Sequence, residues 1–532
     1  MKAKRPDSKP KKQQQDGWRP EVEELRRREE LGRAMGGPEK IKRQHDGGKL
    51  TVRERIEALL DPGSFHEVGT LAGRGQYDEN GELIAFTPAN FVLGRGEIQG
   101  RRVVIAGDDF TVRGGANDGA IKAKLLTSEL MAGDLRLPLV RLVDGTGGGG
   151  SVKNIETEGH TLLPGFDGTL WRYMVDNMET VPIVALALGS TAGLGAARVT
   201  ASHYSVMVKE TSQMFVAGPP VVARVGQKLE KNELGGSHIH TRNGAVDDEA
   251  ASEADALERT RRFLSYLPSS VYDLPPRGSR SDDPNRKEHW LIEAVPRNRR
   301  QVYKMRDIIS AVVDLESFFE IGRMWGRGVI TGFARLDGWP VAVLASDPYH
   351  YGGAWGADES LKVVRFVDLA EVFHLPVVHL VDIPGFLIGV EAERAGTIRH
   401  GARALAAVFQ STVPWCSILV RKTFGVAGSA HQNAARYCLR YSWPSGDWGS
   451  LPVEGGIEAA YRAEIAAAEN PEAHMAGILE RLDRLRSPFR SAEVFMPEEI
   501  IDPRETRPLL CEFAELAAPL RIPGKTRFGI RP

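Results

Sequence analysis

Short runs of apolar residues, each bounded by glycine or proline, recur along the chain and predict buried β-strands. They occupy residues 102–106, 139–143 and 181–188 in the first half and 341–345, 377–381 and 415–420 in the second. Between them, apolar residues at three- and four-residue spacing predict helices over Lys122–Met131 and Lys362–Phe373. The alternation of strand and helix predicts an α/β fold with right-handed crossovers, without deciding among the α/β superfolds.

The two halves of the chain carry the same pattern in the same order. Asp61–Gly69 aligns with Asp314–Gly322 at an offset of 253 residues. The offset is 238 over the next stretch and 232 further on, and the matched pairs include Asp109 with Asp347, Lys124 with Lys362, Asp144 with Asp382, and Gly193 with Gly425. Composition alone would not hold a gapless register over residues 100–144. The sequence therefore predicts a duplicated domain.

Composition also suggests where the domains begin and end. Residues 1–17 are polar and lysine-rich, which predicts a disordered basic arm, and we extend this arm to residue 22. Pro275–His289 has the proline, glycine, serine and charge content of a linker. We therefore place the first domain at 23–280 and the second at 281–532. The arm lacks the apolar stretch of a secretory signal and is a poor match to a mitochondrial transit peptide, so we expect a cytoplasmic protein.

Charge and cysteine content argue against several classes of protein. The chain has 69 Lys+Arg against 70 Asp+Glu, so it has no overall field of the kind that attracts nucleic acid or a membrane surface. Three cysteines make neither a disulfide framework nor a four-cysteine zinc site. The histidines do not have metal-ligand spacing: His160, His238, His240, His400 and His431. We expect no bound metal, no nucleic acid and no direct membrane contact.

Two glycine-rich segments follow equivalent strands of the two halves. Gly189–Ala196 follows the run 181–188, and Arg421–Ser429 follows the run 415–420. Small residues let backbone N–H groups approach a ligand, and a following helix adds the positive end of its dipole. Such a loop can stabilise an oxyanion without a charged side chain. The alternative is a pair of tight turns with packing glycines, but the matched occurrence favours function.

Other motifs are weaker. Gly145–Gly150 has the spacing of a dinucleotide-binding loop, yet the segment behind it does not predict a clean helix, and the repeat places Asp382–Gly385 there. The chain has no G-x-S-x-G elbow, which disfavours a serine hydrolase. Gly524–Thr526 is similar to the end of a phosphate-binding loop, but Pro519 stands at the position of its first glycine. The repeated aspartates are expected to cap loops.

Longer motifs resemble one family. They are Lys49–Ile56, Asp109–Gly115, Lys209–Pro219, Glu233–His238, Val381–Leu387, Ile398–Ala402, Arg421–Lys422 and Ile501–Arg507. Through them the chain, from about Gly48 to Arg507, resembles the carboxyltransferase (beta) subunit of biotin-dependent acyl-CoA carboxylases of the propionyl-CoA and acetyl-CoA carboxylase type. The resemblance implies two duplicated crotonase-like (ClpP/crotonase) domains, each a ββα superhelix. It also implies dimers in which the N domain of one chain faces the C domain of the other, usually three dimers to a hexamer.

The implied reaction transfers CO2 from carboxybiotin to the α-carbon of a short-chain acyl-CoA. Negative charge develops on the substrate enolate and on the biotin ureido oxygen, so two oxyanion loops suit this chemistry. By the resemblance, Gly193, Leu194 and Gly195 donate N–H groups to the enolate. The residues on the biotin side are Gly425, Val426, Ala427 and Ser429. Biotin would be carried by a biotin carboxylase/biotin carboxyl carrier partner, since this chain has no biotin-attachment motif and no convincing ATP-phosphate loop.

The chain departs from the family in four places. It has Gly-Leu-Gly and Gly-Val-Ala where the family has Gly-Gly-Ala, and Asp144–Gly149 lacks the family's arginine. Ser429 stands where many members carry an aspartate linked to acyl-chain choice. The acyl substrate is therefore left open. The alternatives are a biotin-dependent decarboxylase of methylmalonyl-CoA type, a biotin-independent crotonase-like CoA-thioester enzyme, which the duplication disfavours, and a non-catalytic scaffold.

Overall fold

The structure is a computed structural model that describes residues 17–116, 119–145, 156, 159–161, 163, 168–451, 456–457 and 460–527. Residues 1–16 of the predicted arm and all of the predicted glycine cluster after Gly145 lie outside the described residues. The first helix, Arg19–Arg33, begins within the stretch assigned to the arm, and the arm boundary at residue 22 stays a prediction. In the described ranges, no helix is long and apolar enough to cross a bilayer.

The first half is built on a mixed sheet of seven strands. The strands of this half are β1 His66–Val68, β2 Gly73–Tyr77, β3 Leu83–Pro88, β4 Phe91–Ile98, β5 Arg101–Asp108, β6 Leu139–Val143, β7 Ile183–Ala187, β8 Ser190–Ala192, β9 Tyr204–Val208, β10 Gln213–Phe215 and β11 Asp248–Ala250. The main sheet has the order β1-β4-β5-β6-β7-β9-β11, and β2–β3 and β8–β10 form separate pairs. The two contacts made by β4 are antiparallel, and the remaining neighbours in the main sheet are parallel.

The second half repeats this arrangement in an eight-stranded sheet. Its strands are β12 Phe319–Ile321, β13 Val329–Leu336, β14 Trp339–Ser346, β15 Val377–Ile383, β16 Trp415–Phe424, β17 Leu439–Ser442, β18 Asp447–Gly449 and β19 Glu499–Ile500. They are ordered β12-β13-β14-β15-β16-β17-β19, and β18 also pairs with β16. Every residue of β6, β7 and β15 is buried, as expected for central parallel strands covered on both faces.

Helices cover these sheets in both halves. In the first half they are α1 Arg19–Arg33, α2 Pro38–Asp46, α3 Val52–Leu59, α4 Gly119–Leu135, α5 Thr169–Met178, α6 Leu194–Thr200, α7 Pro219–Val222, α8 Lys231–Gly235, α9 Ser237–His240 and α10 Glu253–Ser265. In the second half they are α11 Met305–Val312, α12 Ala357–Val372, α13 Val390–Arg394, α14 Thr397–Gln410, α15 Gly425–Gly428, α16 Arg462–Ala467, α17 Pro471–Leu485, α18 Pro488–Ala492 and α19 Thr506–Ala517.

The duplication predicted from the sequence is present in the structure. At an offset of 253 residues, α3 corresponds to α11, β1 to β12 and α10 to α19. At an offset of 238, β4 and β5 correspond to β13 and β14, and α4 to α12. The predicted strands and helices all lie on observed ones, with boundaries that differ by a few residues. The predicted α/β fold is therefore correct.

One hydrophobic cluster extends across the two halves. A single cluster of buried side chains includes residues from both sheets. At its centre Phe263 stacks on Tyr204 with ring centroids 4.8 Å apart and contacts Phe333 of the second half at 5.5 Å. An ion pair of 3.0 Å between Arg365 and Asp247 also crosses between the halves. Extensive apolar burial of this kind fixes the position of one half against the other.

The predicted linker is packed rather than free. Between α10 and the short 3-10 helix at His289–Ile292, the chain forms no helix or strand, which agrees with its composition. Its backbone and side chains nevertheless bind the second half. The Gly278 N–H donates to the carbonyl of Gly338 at 2.8 Å, and Arg280 pairs with Asp337 at 2.9 Å.

Candidate active site

The first glycine loop connects β7 to α6 and contains the short strand β8. Gly193 ends the loop with φ 55° and ψ −120°, a conformation that a residue with a Cβ rarely adopts. Helix α6 begins at the next residue, so the N–H groups of Leu194 and Gly195 lie in its first turn. The N–H groups of a first turn have no acceptor within the helix, and they are available to a ligand.

The three predicted donors of the first loop are not equivalent. The Gly193 N–H donates to the carbonyl of Phe215 at 3.2 Å, and this bond ties the loop to β10. Leu194 and Gly195 are therefore the donors that the loop can present, and Gly193 shapes the turn. The Leu194 side chain, which the family does not have here, is partly buried against the hydrophobic core.

The second loop is shorter than the sequence predicted. Residues 421–424, expected to open the loop, belong to β16, because β16 pairs with β18 from Lys422 to Phe424. The turn is the short helix α15, and Gly425 has a positive φ of 62°. Val426 is 58% exposed, whereas Ala427 is fully buried. The Ser429 hydroxyl donates to the Val426 carbonyl at 2.6 Å, so this side chain closes the turn.

A buried aspartate lies against each loop. Asp144 follows β6 and binds the Arg55 guanidinium at 2.9 Å. Asp382 lies in β15 and binds Arg421 at 2.9 Å. Both aspartates were expected to cap loops, and in the structure each is paired with a buried arginine. Arg55 was not singled out from the sequence, because its partner Asp144 is 89 residues away and no local pattern connects them.

The other repeated aspartates also cap loops, as predicted. Asp109 accepts the N–H and hydroxyl of Thr111 at 2.9 and 2.6 Å. Asp347 accepts the Tyr349 N–H at 3.1 Å and pairs with Arg306 at 2.5 Å. Asp109 thus holds its own loop, whereas Asp347 holds its loop and also connects it to Arg306 of α11.

Known proteins of similar sequence identify the family of this chain. Residues 43–526 match the family described as the carboxyl transferase domain. This chain belongs to that family. The resemblance seen in the sequence is confirmed, and the chain is an acyl-CoA carboxyltransferase.

Similar sequences cover nearly the whole of this carboxyltransferase. It is 33% identical over 493 residues to the carboxyltransferase subunit of propionyl-CoA carboxylase from Haloferax mediterranei, covering 91% of this chain and 94% of the relative. It is 34% identical over 496 residues to the mitochondrial propionyl-CoA carboxylase beta chain of Homo sapiens, covering 92% and 89%. It is also 30% identical over 494 residues to the methylmalonyl-CoA decarboxylase subunit alpha of Veillonella parvula, covering 92% and 94%.

Solved structures agree with the fold. Transcarboxylase 12S, a hexamer crystallised with methylmalonyl-coenzyme A, superposes with a TM-score of 0.87 at 29% identity, covering 97% of this chain and 99% of that one. A single-chain, multi-domain long-chain acyl-CoA carboxylase superposes with a TM-score of 0.79 at 27% identity, covering 93% of this chain and 50% of that one. The predicted pair of crotonase-like domains is confirmed.

A cavity of about 290 Å³ lies beside the second loop of the carboxyltransferase. Apolar side chains form much of its wall: Leu419, Trp448, Met496 and Pro497. Gly425 and Ser429 lie at its edge, and Arg440, already paired with Glu498 at 2.6 Å, is also present. None of the described lining residues carries a carboxylate. The wall of the cavity is therefore partly apolar and partly polar, since Thr423 and His431 also line it.

Several buried or partly buried histidines of the carboxyltransferase bind the backbone. His240 hydrogen-bonds the Met214 carbonyl at 2.8 Å, and His431 hydrogen-bonds the Gly428 carbonyl at 2.9 Å. Burial lowers the pKa of His203 to about 3, so that side chain stays neutral. Within the part of the chain that the structure describes, no group of three or more His, Cys, Asp or Glu side chains could hold a metal ion.

Proposed function

We propose that this chain is the carboxyltransferase subunit of a biotin-dependent acyl-CoA carboxylase and transfers CO2 from carboxybiotin to the α-carbon of a short-chain acyl-CoA. The observation that supports this is the matched pair of loops, one in each half, at the carboxyl ends of equivalent parallel strands. Each loop presents first-turn N–H groups. Two developing oxyanions need two such sets of donors.

The two loops have different ligands in this proposal. The N–H groups of Leu194 and Gly195 hold the thioester oxygen as negative charge develops on it, while the conformation of Gly193 aims them. On the other side, the N–H groups of Gly425, Val426 and Ala427 face the ureido oxygen, and Ser429 fixes the turn. Carboxybiotin, held by a partner protein, supplies the CO2.

The proposal includes partners and an assembly. A biotin carboxylase/biotin carboxyl carrier subunit would deliver the carboxyl group, and we infer a dimer that assembles further to a hexamer, as in transcarboxylase 12S. We place the enzyme in the cytoplasm, without nucleic-acid or direct membrane contacts.

A second candidate is the same transfer run in reverse. The relative from Veillonella parvula is a decarboxylase subunit at 30% identity, so the fold and loops suit either direction. The carboxyltransferase chemistry is reversible in principle, and the partner proteins determine the net direction.

The decisive experiment uses the purified chain without partners. It should move the carboxyl group between a carboxyacyl-CoA and free biotin, and it should not consume ATP with bicarbonate and acyl-CoA. A panel of CoA thioesters then identifies the acyl group. ATP-dependent carboxylation by the isolated chain, or no transfer to free biotin with any thioester of the panel, would refute the proposed function.

A further inference from the structure

Asp144 and Asp382 occupy equivalent positions in the two halves, and both side chains are fully buried. Burying a carboxylate is costly unless charged and hydrogen-bonding partners compensate. The duplicated chain has kept this costly group twice, each time beside a glycine loop. The contacts of each carboxylate indicate why.

The first carboxylate holds the start of the first loop. Arg55 bridges Asp144 to the Leu188 carbonyl, with contacts of 2.9 and 3.1 Å. Leu188 immediately precedes the loop. A Cβ built on Gly189, the next residue, would lie 1.9 Å from Asp144 Oδ1, so the loop backbone rests directly on the carboxylate. Burial acts to lower the pKa of Arg55, but Asp144 and Glu253 outweigh it and raise the pKa, which keeps the bridge charged.

The same network reaches the other end of the first loop. The Asp144 N–H donates to Asp108 at 3.2 Å, and Asp108 pairs with Arg198 at 3.0 Å. Arg198 lies in α6, the helix that carries the donors Leu194 and Gly195. This link starts from the Asp144 backbone N–H, so the carboxylate itself acts at the Leu188 end of the loop and the α6 end is connected through the backbone of the same residue.

The second carboxylate holds the strand that enters the second loop. Asp382 accepts the Lys422 N–H at 3.0 Å, the Arg421 guanidinium at 2.9 Å and the Tyr303 hydroxyl at 2.9 Å. The register between β15 and β16 shifts between Val381 and Ile383, so the Asp382 side chain takes over where the strand ladder is interrupted. The turn of the second loop begins at Gly425, only three residues after Lys422.

The cations differ between the halves although the carboxylate is the same. Arg55 comes from helix α3, whereas Arg421 comes from β16 itself, and Ile308 stands at the position equivalent to Arg55. What the two halves share is a buried carboxylate against the backbone that leads into the loop. This common contact places one carboxylate beside each loop.

We propose that Asp144 and Asp382 are a matched pair of positioning residues, each of which aims the N–H donors of one oxyanion loop. The inference rests on the proposed function. Asp144 acts on the acyl-CoA side through Leu194 and Gly195, and Asp382 acts on the biotin side through the α15 turn. Each aspartate is thus coupled to its own loop and not to the other.

The test is a set of double-mutant cycles on the full chain, with transfer between a carboxyacyl-CoA and free biotin as the readout. Asp144→Asn and Asp382→Asn should each lower the rate about 100-fold, as expected when reacting groups are displaced. Leu194→Pro and Ala427→Pro remove one donor from the first and second loop. Asp144→Asn should be non-additive with Leu194→Pro and additive with Ala427→Pro, and Asp382→Asn should show the opposite pattern.

A matched control is Asp314→Asn. Asp314 is also buried and binds Arg507 at 2.9 Å, but it caps the β13–β14 hairpin at the opposite end of the second sheet. This variant should lose stability without a selective loss of transfer. Lys49 also pairs with Asp144, at 3.2 Å. If Asp144→Asn or Asp382→Asn does not assemble, the charge-balanced pairs Lys49→Met/Asp144→Asn and Arg421→Met/Asp382→Asn replace them.

The outcomes separate the inference from the function on which it rests. Equal coupling of each aspartate to both loops, or rates that follow thermal stability as in Asp314→Asn, would overturn the inference while leaving the function in place. Failure of the wild-type chain to transfer the carboxyl group would instead refute the proposed function itself. Loop-selective coupling with intact assembly would support both.

Discussion

Ala427 illustrates how little of this site depends on side-chain chemistry. Its side chain is fully buried in the hydrophobic core, and its N–H lies in the first turn of α15. The neighbouring Val426 side chain is exposed, and the Ser429 hydroxyl hydrogen-bonds the Val426 carbonyl within the turn. The backbone, rather than an acid or base in these loops, therefore provides the proposed stabilisation, and proline substitution is the direct way to test it.

Ala427→Pro should lower carboxyl transfer about 100- to 1,000-fold, the usual effect of losing one oxyanion donor. Ala427→Gly keeps the N–H and should lose much less activity, although it also destabilises the short helix. Transfer rates are compared after size-exclusion chromatography and circular dichroism show an intact oligomer. A well-assembled Ala427→Pro enzyme with near-normal transfer would remove this loop from the active site.

The free energy of unfolding should depend on pH through Asp248, and the direction of this dependence follows from its surroundings. It accepts the Tyr204 hydroxyl at 2.9 Å and, across the junction of the halves, the Gly322 N–H at 3.2 Å. Burial and the neighbouring Asp247 raise the pKa of Asp248 to about 6, against the opposing effects of Tyr204 and Arg259. Because this exceeds the unfolded value, the charged form destabilises the fold at neutral pH, and the penalty disappears as the pH falls towards the unfolded pKa.

Asp248→Asn should therefore gain stability relative to wild type as the pH rises from about 4 to about 7, by about 1–3 kcal/mol. The measurement is the free energy of unfolding in urea at several pH values and one protein concentration. Subtracting the wild-type curve removes the contributions of other titrating groups. A difference that does not change with pH would contradict the raised pKa.

At the scale of elements, the two equivalent β-hairpins are each capped by an aspartate at the turn, but the second aspartate is more deeply buried than the first. Asp61 accepts the N–H groups of Gln99 and Gly100 at 3.0 and 2.7 Å at the turn between β4 and β5. Asp314 does the same for β13 and β14, and it also binds the buried Arg507. Both halves thus keep an aspartate that caps the hairpin turn, and in the second half that aspartate also forms a buried ion pair with Arg507.

Removal of the two caps should cost different amounts of stability. Asp61→Ala should cost about 1 kcal/mol, the value of an ordinary cap. Asp314→Ala leaves Arg507 with one partner fewer in a buried site and should cost about 3 kcal/mol. Urea midpoints of the two variants provide the comparison. Equal losses would mean that Asp282, 3.1 Å from Arg507, fully compensates that cation.

Gly189 should tolerate no side chain because of its contact with Asp144. A Cβ there would lie 1.9 Å from the carboxylate oxygen, so Gly189→Ala must displace the loop or the aspartate. We expect a loss of about 1–3 kcal/mol, as for other overpacked sites, together with reduced transfer. Gly477→Ala in α17 is the control, since no atom lies within 4 Å of its Cβ, and it should stabilise the helix. Unchanged activity in a stable Gly189→Ala enzyme would contradict the close contact.

Local pattern was sufficient for the central strands and the duplication, because β6, β7 and β15 are buried on both faces and their sequences are continuously apolar. Local pattern was insufficient where pairing between distant residues determines the bounds of a loop or the partner of an N–H group. The second loop begins later than predicted because β18 pairs with Lys422–Phe424. The Gly193 N–H is used by Phe215, which lies 22 residues further along the chain. Only the tertiary fold brings these groups together.

At the scale of the whole molecule, the halves depend on each other. The core cluster contains Phe263 and Tyr204 from the first sheet region and Phe319 and Phe333 from the second. Arg262 adds hydrogen bonds to the carbonyls of Glu316 and Phe318, the latter at 2.8 Å. One cluster thus joins the halves, although the second half also has a buried cluster of its own around Ile309, Val378 and Phe513. The position of the boundary between the predicted domains at 23–280 and 281–532 stays a prediction.

Residues 1–280 and 281–532, expressed separately, should each aggregate, because each would expose its side of the shared aromatic cluster and leave Asp247 or Arg365 without its partner at 3.0 Å. Expressed together they should associate and regain carboxyl transfer, since the core, and not the covalent connection, holds the halves together. The contact of Gly278 with Gly338, 2.8 Å across the cut, should help this association. Co-purification of an affinity-tagged half measures it, and Arg365→Met in the second fragment should weaken the complex. A soluble first half that unfolds cooperatively by itself would show that the shared core is dispensable and that the duplicated domains still fold as independent units.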